Sequence, residues 1–475
     1  MKKIFNILTI GVLAAISLTS CERDITSLNE NPKQPEVLPS QNLLAMGQQQ
    51  FFYYTFTPSV NFNNFRFFTQ QWTETTYTDE TNYNLITRNQ PRNNWNRMYV
   101  YSLNNFETAK KNLVAEGGVA AVKQNKLATL EISQIAVWET LVDTYGDIPY
   151  SEALKASESN FSPKYDDAKT IYSDLLARIT AVVATINESE EGYTSGDLVY
   201  GGDMTKWKHL ANSIKLRMAM NLADTDAAAA KAAAESAVAS GIISSEAESF
   251  TLSFDGGTYT NPVFDDLVAS GRNDFIPTNL VVDKMNSKND PRRETWFTTV
   301  GGVYKGGVFG TLNTYANFSH MSDFFLERGG DANLLSYTEV LFLKAEAAQR
   351  GYSVGGTAAT FYAQAISASM AENEVSAADT ATYLAANPYN AANWKQSIGE
   401  EAWIALFNRG FAAWNFTRRL DISGFVLPPN NQLQGLPVRM PYSDQEYVLN
   451  RTNVNAAATK IGGDKATTKL FWDVN

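Results

Sequence analysis

Two histidines occur in the 475 residues, His209 and His320, and they lie far apart in the chain. No HExxH pair is present, and the single thiol, Cys21, cannot build a zinc–thiolate set. Gly351-Tyr352-Ser353-Val354-Gly355 matches the G-x-S-x-G form of a nucleophile elbow. That motif exposes its serine only on a sharp strand-to-helix turn. Here it follows a helical segment ending in Gln349-Arg350, so Gly351 reads as a helix terminator and the match as chance. His209 falls within a helical pattern and reads as structural, whereas His320 follows an aromatic loop and is a candidate ligand contact. Asp265, Asp266 and Asp323 stand near that loop and offer carboxylates of the kind that glycosidases pair. For each acid a solvated or ion-paired surface role is favoured, and a surface-anchored glycan-degrading enzyme stays as the alternative function. Neither a calcium-binding loop nor a cofactor motif is present, and no cofactor or metal is expected.

A different chemistry is written in two segments rich in aromatic and amide side chains. The first spans 51–101, far above the 12% aromatic content of the whole chain and interspersed with asparagines. The second, 251–330, is rich in Gly, Asn, Thr and aromatics and has little helical period. Sugars present apolar C–H faces and many hydroxyls, so their sites combine exposed rings with a few amides or charged groups. The candidates are Trp72, Tyr77, Tyr83, Trp95 and Asn96 in the first segment, with Trp296, Tyr304, Phe309, Tyr315 and His320 in the second. The competing reading is that these rings fill a small core within the loops or face a partner. For Trp95, which runs into a helical pattern, the structural role carries equal weight.

The elements that must hold these segments are helical. Apolar residues recur at spacings of three and four over 124–145, 166–186, 206–223, 334–350 and 400–420. An Ala-rich stretch, 224–240, ends at Gly241. Helix pairs joined by Gly-, Pro- or Asp-bearing turns suggest a superhelical array of tetratricopeptide type, though no clean 34-residue period is visible. An irregular all-helical bundle is the alternative architecture.

The N-terminal region points outward from the cell. Lys2 and Lys3 precede an apolar run from Ile4 to Leu18, and Leu18-Thr19-Ser20 leads directly into Cys21. A basic start, a short apolar core and a small-residue cut point mark residues 1–20 as a secretory signal. The final Cys resembles a bacterial lipobox, which implies that Cys21 is lipidated and heads the mature chain. Residues 21–40, with Pro32, Pro35 and Pro39, read as an extended tether, and 41–475 as the folded domain. Loss of residues 1–20 takes two positive charges and moves the net charge from −11 to −13. That balance argues against nucleic acid and against anionic lipid as the main ligand, so membrane attachment rests on the lipid anchor alone.

Six segments, taken in order, resemble the SusD/RagB family of nutrient-binding outer-membrane lipoproteins of Bacteroidetes. They are VWETLVDTYGDIPYSEAL (137–154), KWKHLANSIKLRMAMNLA (206–223), NDPRRE (289–294), LLSYTEVLFLKAEAAQRG (334–351), WIALFNRGFAAWNFTRRL (403–420) and LPVRMPYSDQEYVLN (436–450). The resemblance implies a mainly α fold, a tetratricopeptide-type helical superhelix packed against a loop-rich, irregular substrate-binding half. It implies a non-catalytic, outward-facing outer-membrane protein that captures oligosaccharide or oligopeptide. It also implies a partner, a SusC-like TonB-dependent outer-membrane β-barrel on which this chain would act as a lid.

Overall fold

Side chains that recur every three or four residues fold here as helices, and the computed structural model describes residues 37–474. The expected signal segment 1–20, Cys21 and most of the expected tether 21–40 lie outside the described residues. The chain enters through α1 (Ser40–Phe56), whose Phe51 and Phe52 pack on Phe250. A short α2 (Phe65–Phe68), strand β1 (Trp72–Glu74) and α3 (Gln90–Asn96) follow. A π-helical stretch, Arg97–Leu103, then leads into α4 (Asn104–Ala115).

The scaffold begins with α5 (Ala120–Tyr145), which packs on α6 (Ala168–Thr185). The link between them carries the two-residue strands β2 (Ile148–Pro149) and β3 (Tyr165–Asp166), paired antiparallel. A second pair is α7 (Met204–Leu222) with α8 (Ala227–Ser240). The loop half then supplies β4 (Phe250–Ser253), β5 (Phe275–Pro277), α9 (Asn279–Ser287), α10 (Arg292–Trp296) and β6 (Asp331–Leu335). A third helix pair, α11 (Tyr337–Gln349) and α12 (Ala358–Glu372), precedes α13 (Ala377–Ala386). The fourth pair is α14 (Trp394–Ala405) with α15 (Gly410–Leu420), and α16 (Glu446–Leu449) and α17 (Arg451–Lys460) follow. Successive pairs touch in order, α5 on α7, α7 on α11 and α11 on α14, which is the tetratricopeptide-type array. Residues 39–475 make one compact unit. No described helix is long and apolar enough to cross a membrane.

Local chemistry sets the helix ends. Asp167, Asp203, Asp226, Ser336 and Thr357 each accept a backbone N–H from the first turn that follows, satisfying donors that helices otherwise leave open. Asp147, in the Tyr-Gly-Asp-Ile-Pro-Tyr turn, accepts from Ala168 N at 2.9 Å and so caps the next helix, α6. Gly351 sits at φ +81°, and Tyr352 N donates to Ala347 O at 3.0 Å, closing α11 in the left-handed conformation. The G-x-S-x-G match is therefore a helix terminus, with no strand before it.

Buried charge ties the pairs together. Arg217 of α7 meets Glu139 of α5 at 2.7 Å and Glu339 of α11 at 3.4 Å. Asp143 takes the Tyr172 hydroxyl, the Asn221 amide at 3.0 Å and the Trp472 indole at 3.0 Å. Arg419 reaches Glu346 at 3.0 Å, Arg418 donates to the Asp143 carbonyl at 2.8 Å, and Arg292 pairs with Asp290 at 2.6 Å.

Two expectations change. Residues 51–101 are not one loop, since 51–56 complete α1 and 90–103 are helical. In 51–56 the aromatic residues fall on both sides of α1, with Phe51, Phe52 and Phe56 on its single buried stripe and Tyr53 and Tyr54 half-buried outside it, which hides the helical period. The stretch 400–420 is not one helix either; it breaks at Asn408, which lies at φ +68°.

Candidate functional site

The two aromatic segments meet through β1 and β5, which pair antiparallel with Trp72 opposite Pro277 and Glu74 opposite Phe275. The 303–320 loop is laid on this ribbon. Gly307 N donates to Pro277 O at 2.9 Å, Asn279 N to Gly307 O at 2.7 Å, and Asn313 N to Thr75 O at 2.8 Å. The buried Asn313 side chain fastens the loop. Its Nδ2 lies 3.1 Å from Glu74 O, 3.0 Å from Val308 O and 2.8 Å from Thr311 O, and its Oδ1 accepts from Val308 N at 2.9 Å. Gly310 adopts φ +71°, and a Cβ there would stand 2.5 Å from Pro428 Cβ, so the turn requires glycine.

This layer carries most of the exposed sequence candidates. Tyr77 is 58% exposed and has the Arg272 guanidinium 5.8 Å from its ring centre. Tyr315 and His320 stack with centroids 3.6 Å apart, and His320 Nε2 lies 2.9 Å from the Tyr315 carbonyl. Tyr304 is half-buried under the Arg293 guanidinium at 5.4 Å. Partial burial raises the phenols of Tyr304 and Tyr315, so both remain neutral O–H groups at pH 7. Beside Tyr77 lies a recess of about 110 Å³, lined by Asn61, Arg88, Arg272 and Asp274 among others. Behind it, burial and then the neighbouring Glu80 push the Glu74 carboxyl up to about 9. Glu74 is thus neutral at pH 7 and does not repel Glu80.

The other candidates lie deeper. Trp72, Tyr83, Trp95, Trp296 and Phe309 are buried, with no ring face open to solvent. Trp72 and Trp296 share Phe407, at 6.3 and 5.1 Å, and Tyr83 meets Phe309 at 5.9 Å, so these rings weld the loop half to the scaffold. Trp95 belongs to a separate cluster with Tyr99, Tyr145, Tyr165 and Tyr442. Asn96 adjoins it, donating to Gln445 Oε1 at 3.4 Å. Arg272, Arg88 and Asn313 escaped the sequence reading. Asn313 alone carried a signal, as an amide amid a Gly-rich loop.

The candidate catalytic groups have structural partners. Asp265 accepts the Tyr53 hydroxyl at 2.9 Å and the Thr260 hydroxyl at 2.5 Å, and Asp266 takes Thr57 Oγ1 at 3.3 Å. Burial lifts Asp266 to about 6. His209 Nδ1 meets Glu248 Oε2 at 3.0 Å within the scaffold. Among the described residues, no three of His, Cys, Asp and Glu converge to hold a metal ion.

A helical-repeat array that displays rings, amides and guanidiniums on a pinned loop layer defines a binding scaffold. The family model described as starch-binding and associating with the outer membrane matches residues 32–443, and the chain belongs to this SusD-like family. A chitin-binding protein of solved structure is similar at 25% identity and TM-score 0.81, over 92% of this chain and 100% of its own. A chitin-binding SusD homolog from Flavobacterium johnsoniae shares the fold at 24% identity and TM-score 0.77, over 92% and 98% of the two chains. A SusD-like protein from Bacteroides thetaiotaomicron does so at 24% identity and TM-score 0.77, over 92% and 99%. No curated protein matches the chain.

Proposed function

We propose that this protein is a lipid-anchored, outward-facing outer-membrane protein that captures oligosaccharide on the β1–β5 loop layer. It delivers that ligand as the lid of a SusC-like TonB-dependent β-barrel and performs no chemistry on it. The observation that carries the reading is the open Tyr77 ring beside Arg272, on the same pinned layer as the Tyr315–His320 stack. Rings of this kind accept the C–H face of a pyranose, while Arg272, Asn61 and Asp274 meet its hydroxyls. The family description supports starch-type glycans, and the chitin-binding relative at 25% identity makes chitin oligosaccharides the first ligand to try. Oligopeptide is the second ligand class.

Calorimetry of the mature protein against starch, chitin and peptide panels tests the reading. Tyr77→Ala and Tyr315→Ala are each expected to weaken glycan binding about tenfold, with no change in the melting point. Binding that ignores both substitutions would remove the loop layer as the site. Release of new reducing ends from the glycan would restore the enzyme alternative, and a detergent extract holding no large barrel partner would count against the lid role.

A further inference from the structure

A second cavity, of about 370 Å³, opens where the 324–333 segment meets the ends of α12 and α14. It shares no lining residue with the recess beside Tyr77. One wall is aromatic, with the Phe324 and Phe325 rings 5.2 Å apart and the Trp296–Phe407 stack behind them. In another wall Arg409 and Glu372 form an ion pair. That pair leaves Arg409 Nη1 and Glu372 Oε2 buried without a hydrogen-bond partner, and Asn333 Oδ1 is buried and unpartnered as well. Asn333 is only 8% exposed. Buried polar atoms are almost always paired, so one donor and two acceptors left unpaired just beneath the wall of a single cavity point to a polar ligand there.

The charge says which kind. Glu246, Glu327 and Asp331 are exposed lining residues, and among the described residues none of them joins an ion pair. With Glu372 they set four carboxylates against the one guanidinium of Arg409. The adjacent Arg328 is turned away, over Phe264 at 5.9 Å and toward Gly257 O at 3.5 Å. The described residues offer no metal-binding cluster, so the surplus acid matches a diffuse organic cation better than a metal ion.

We propose that this cavity is a binding site for an amino sugar whose amine is free and protonated. The ammonium pairs with an exposed carboxylate at the cavity rim, and after small side-chain rotations ring hydroxyls donate to Glu372 Oε2 and Asn333 Oδ1 and accept from Arg409 Nη1. The apolar face of the sugar lies on Phe324 and Phe325. An N-acetylated sugar has no ammonium and must place a bulkier neutral group among uncompensated acids, so it is rejected. The site is independent of the loop layer proposed above.

Calorimetry at low salt with the glucosamine disaccharide, its N,N′-diacetylated form and the dipeptide Gly-Gly tests the assignment. The free-amine disaccharide is expected to bind at least about tenfold more tightly than the acetylated one, and Glu372→Gln to remove about tenfold of that affinity. Glu327→Gln changes an exposed residue that folding does not need; it should cost a few-fold and flatten the salt dependence. Tyr315→Ala should leave this binding intact even where it weakens glycan capture on the loop layer. Equal affinity for the two disaccharides, tighter binding of the dipeptide, or indifference to both Gln variants would overturn the proposal.

Discussion

Asn313→Ala tests whether one buried amide orders the candidate binding layer. The side chain is 5% exposed and stands between the loop and β1. Its two N–H groups are shared among three carbonyls at 2.8–3.1 Å, and its oxygen accepts one N–H at 2.9 Å. That amounts to about three effective hydrogen bonds at roughly 1 kcal/mol each, so the loss is about 3 kcal/mol, or about 2 where water fills the gap. The Asn313 N–H to Thr75 O bond survives the change, so the cost falls mainly on local order in 306–320. Hydrogen exchange followed by mass spectrometry should show amides of this segment exchanging about 30-fold to 150-fold faster. Denaturant unfolding of the whole domain should shift less, and glycan affinity should drop because Tyr315 and His320 are no longer held. Unchanged exchange in 306–320, or a stability loss spread evenly over the scaffold, would refute the argument.

Burial raises Asp266 to about 6 from an ordinary value near 3.8, so its charged form costs stability above that range and the cost disappears as pH falls from about 6 toward 4. Asp266→Asn should therefore stabilise the protein by about 2–3 kcal/mol at pH 7.5, and urea unfolding at pH 4 should find the two proteins alike; a gap independent of pH would contradict this. Arg217→Met strands the buried Glu139 and Glu339 carboxylates and should cost about 3–5 kcal/mol in denaturant unfolding, part of it recovered when Glu139→Leu is added. Cys21→Ser should fold and bind glycan normally while moving from the membrane fraction to the soluble one on cell fractionation; impaired folding would show that the residue does more than anchor.

The scaffold was legible because large apolar residues recur every three or four positions along its helices, even where α5 from Ile132 and α7 from Leu210 are buried on all sides. In 124–145 and 206–223 the apolar spacing predicted helices that the structure places at Ala120–Tyr145 and Met204–Leu222. Helices whose apolar side chains do not keep that spacing were not legible. Phe51 and Phe52 lie on the one buried stripe of α1, but that stripe also takes in Ser40, Gln48 and Thr55 while Tyr53 and Tyr54 stand half-buried outside it, so polarity does not follow burial. Asn408 breaks 400–420 with a left-handed backbone that its sequence did not announce. In the candidate site, residue type was readable and exposure was not. Tyr77 and Trp72 are five residues apart with similar surroundings in sequence, yet one is open and the other sealed against Phe275 and Phe407.

The sequence by itself determined that the protein is mainly helical, belongs among SusD-like chains, and concentrates its aromatic and amide groups in two segments. These properties are read segment by segment: a helix period, a capping residue or a single motif each lies within a few turns of chain. Tertiary structure alone decided which rings face solvent, because burial depends on partners more than a hundred residues away, as when Arg217 meets Glu339 or Trp296 stacks on Phe407. It also decided where polar atoms are left unpaired. Glu372, Asn333 and Arg409 look like ordinary surface residues in the chain, and only folding brings their unpaired polar atoms into the walls of one cavity.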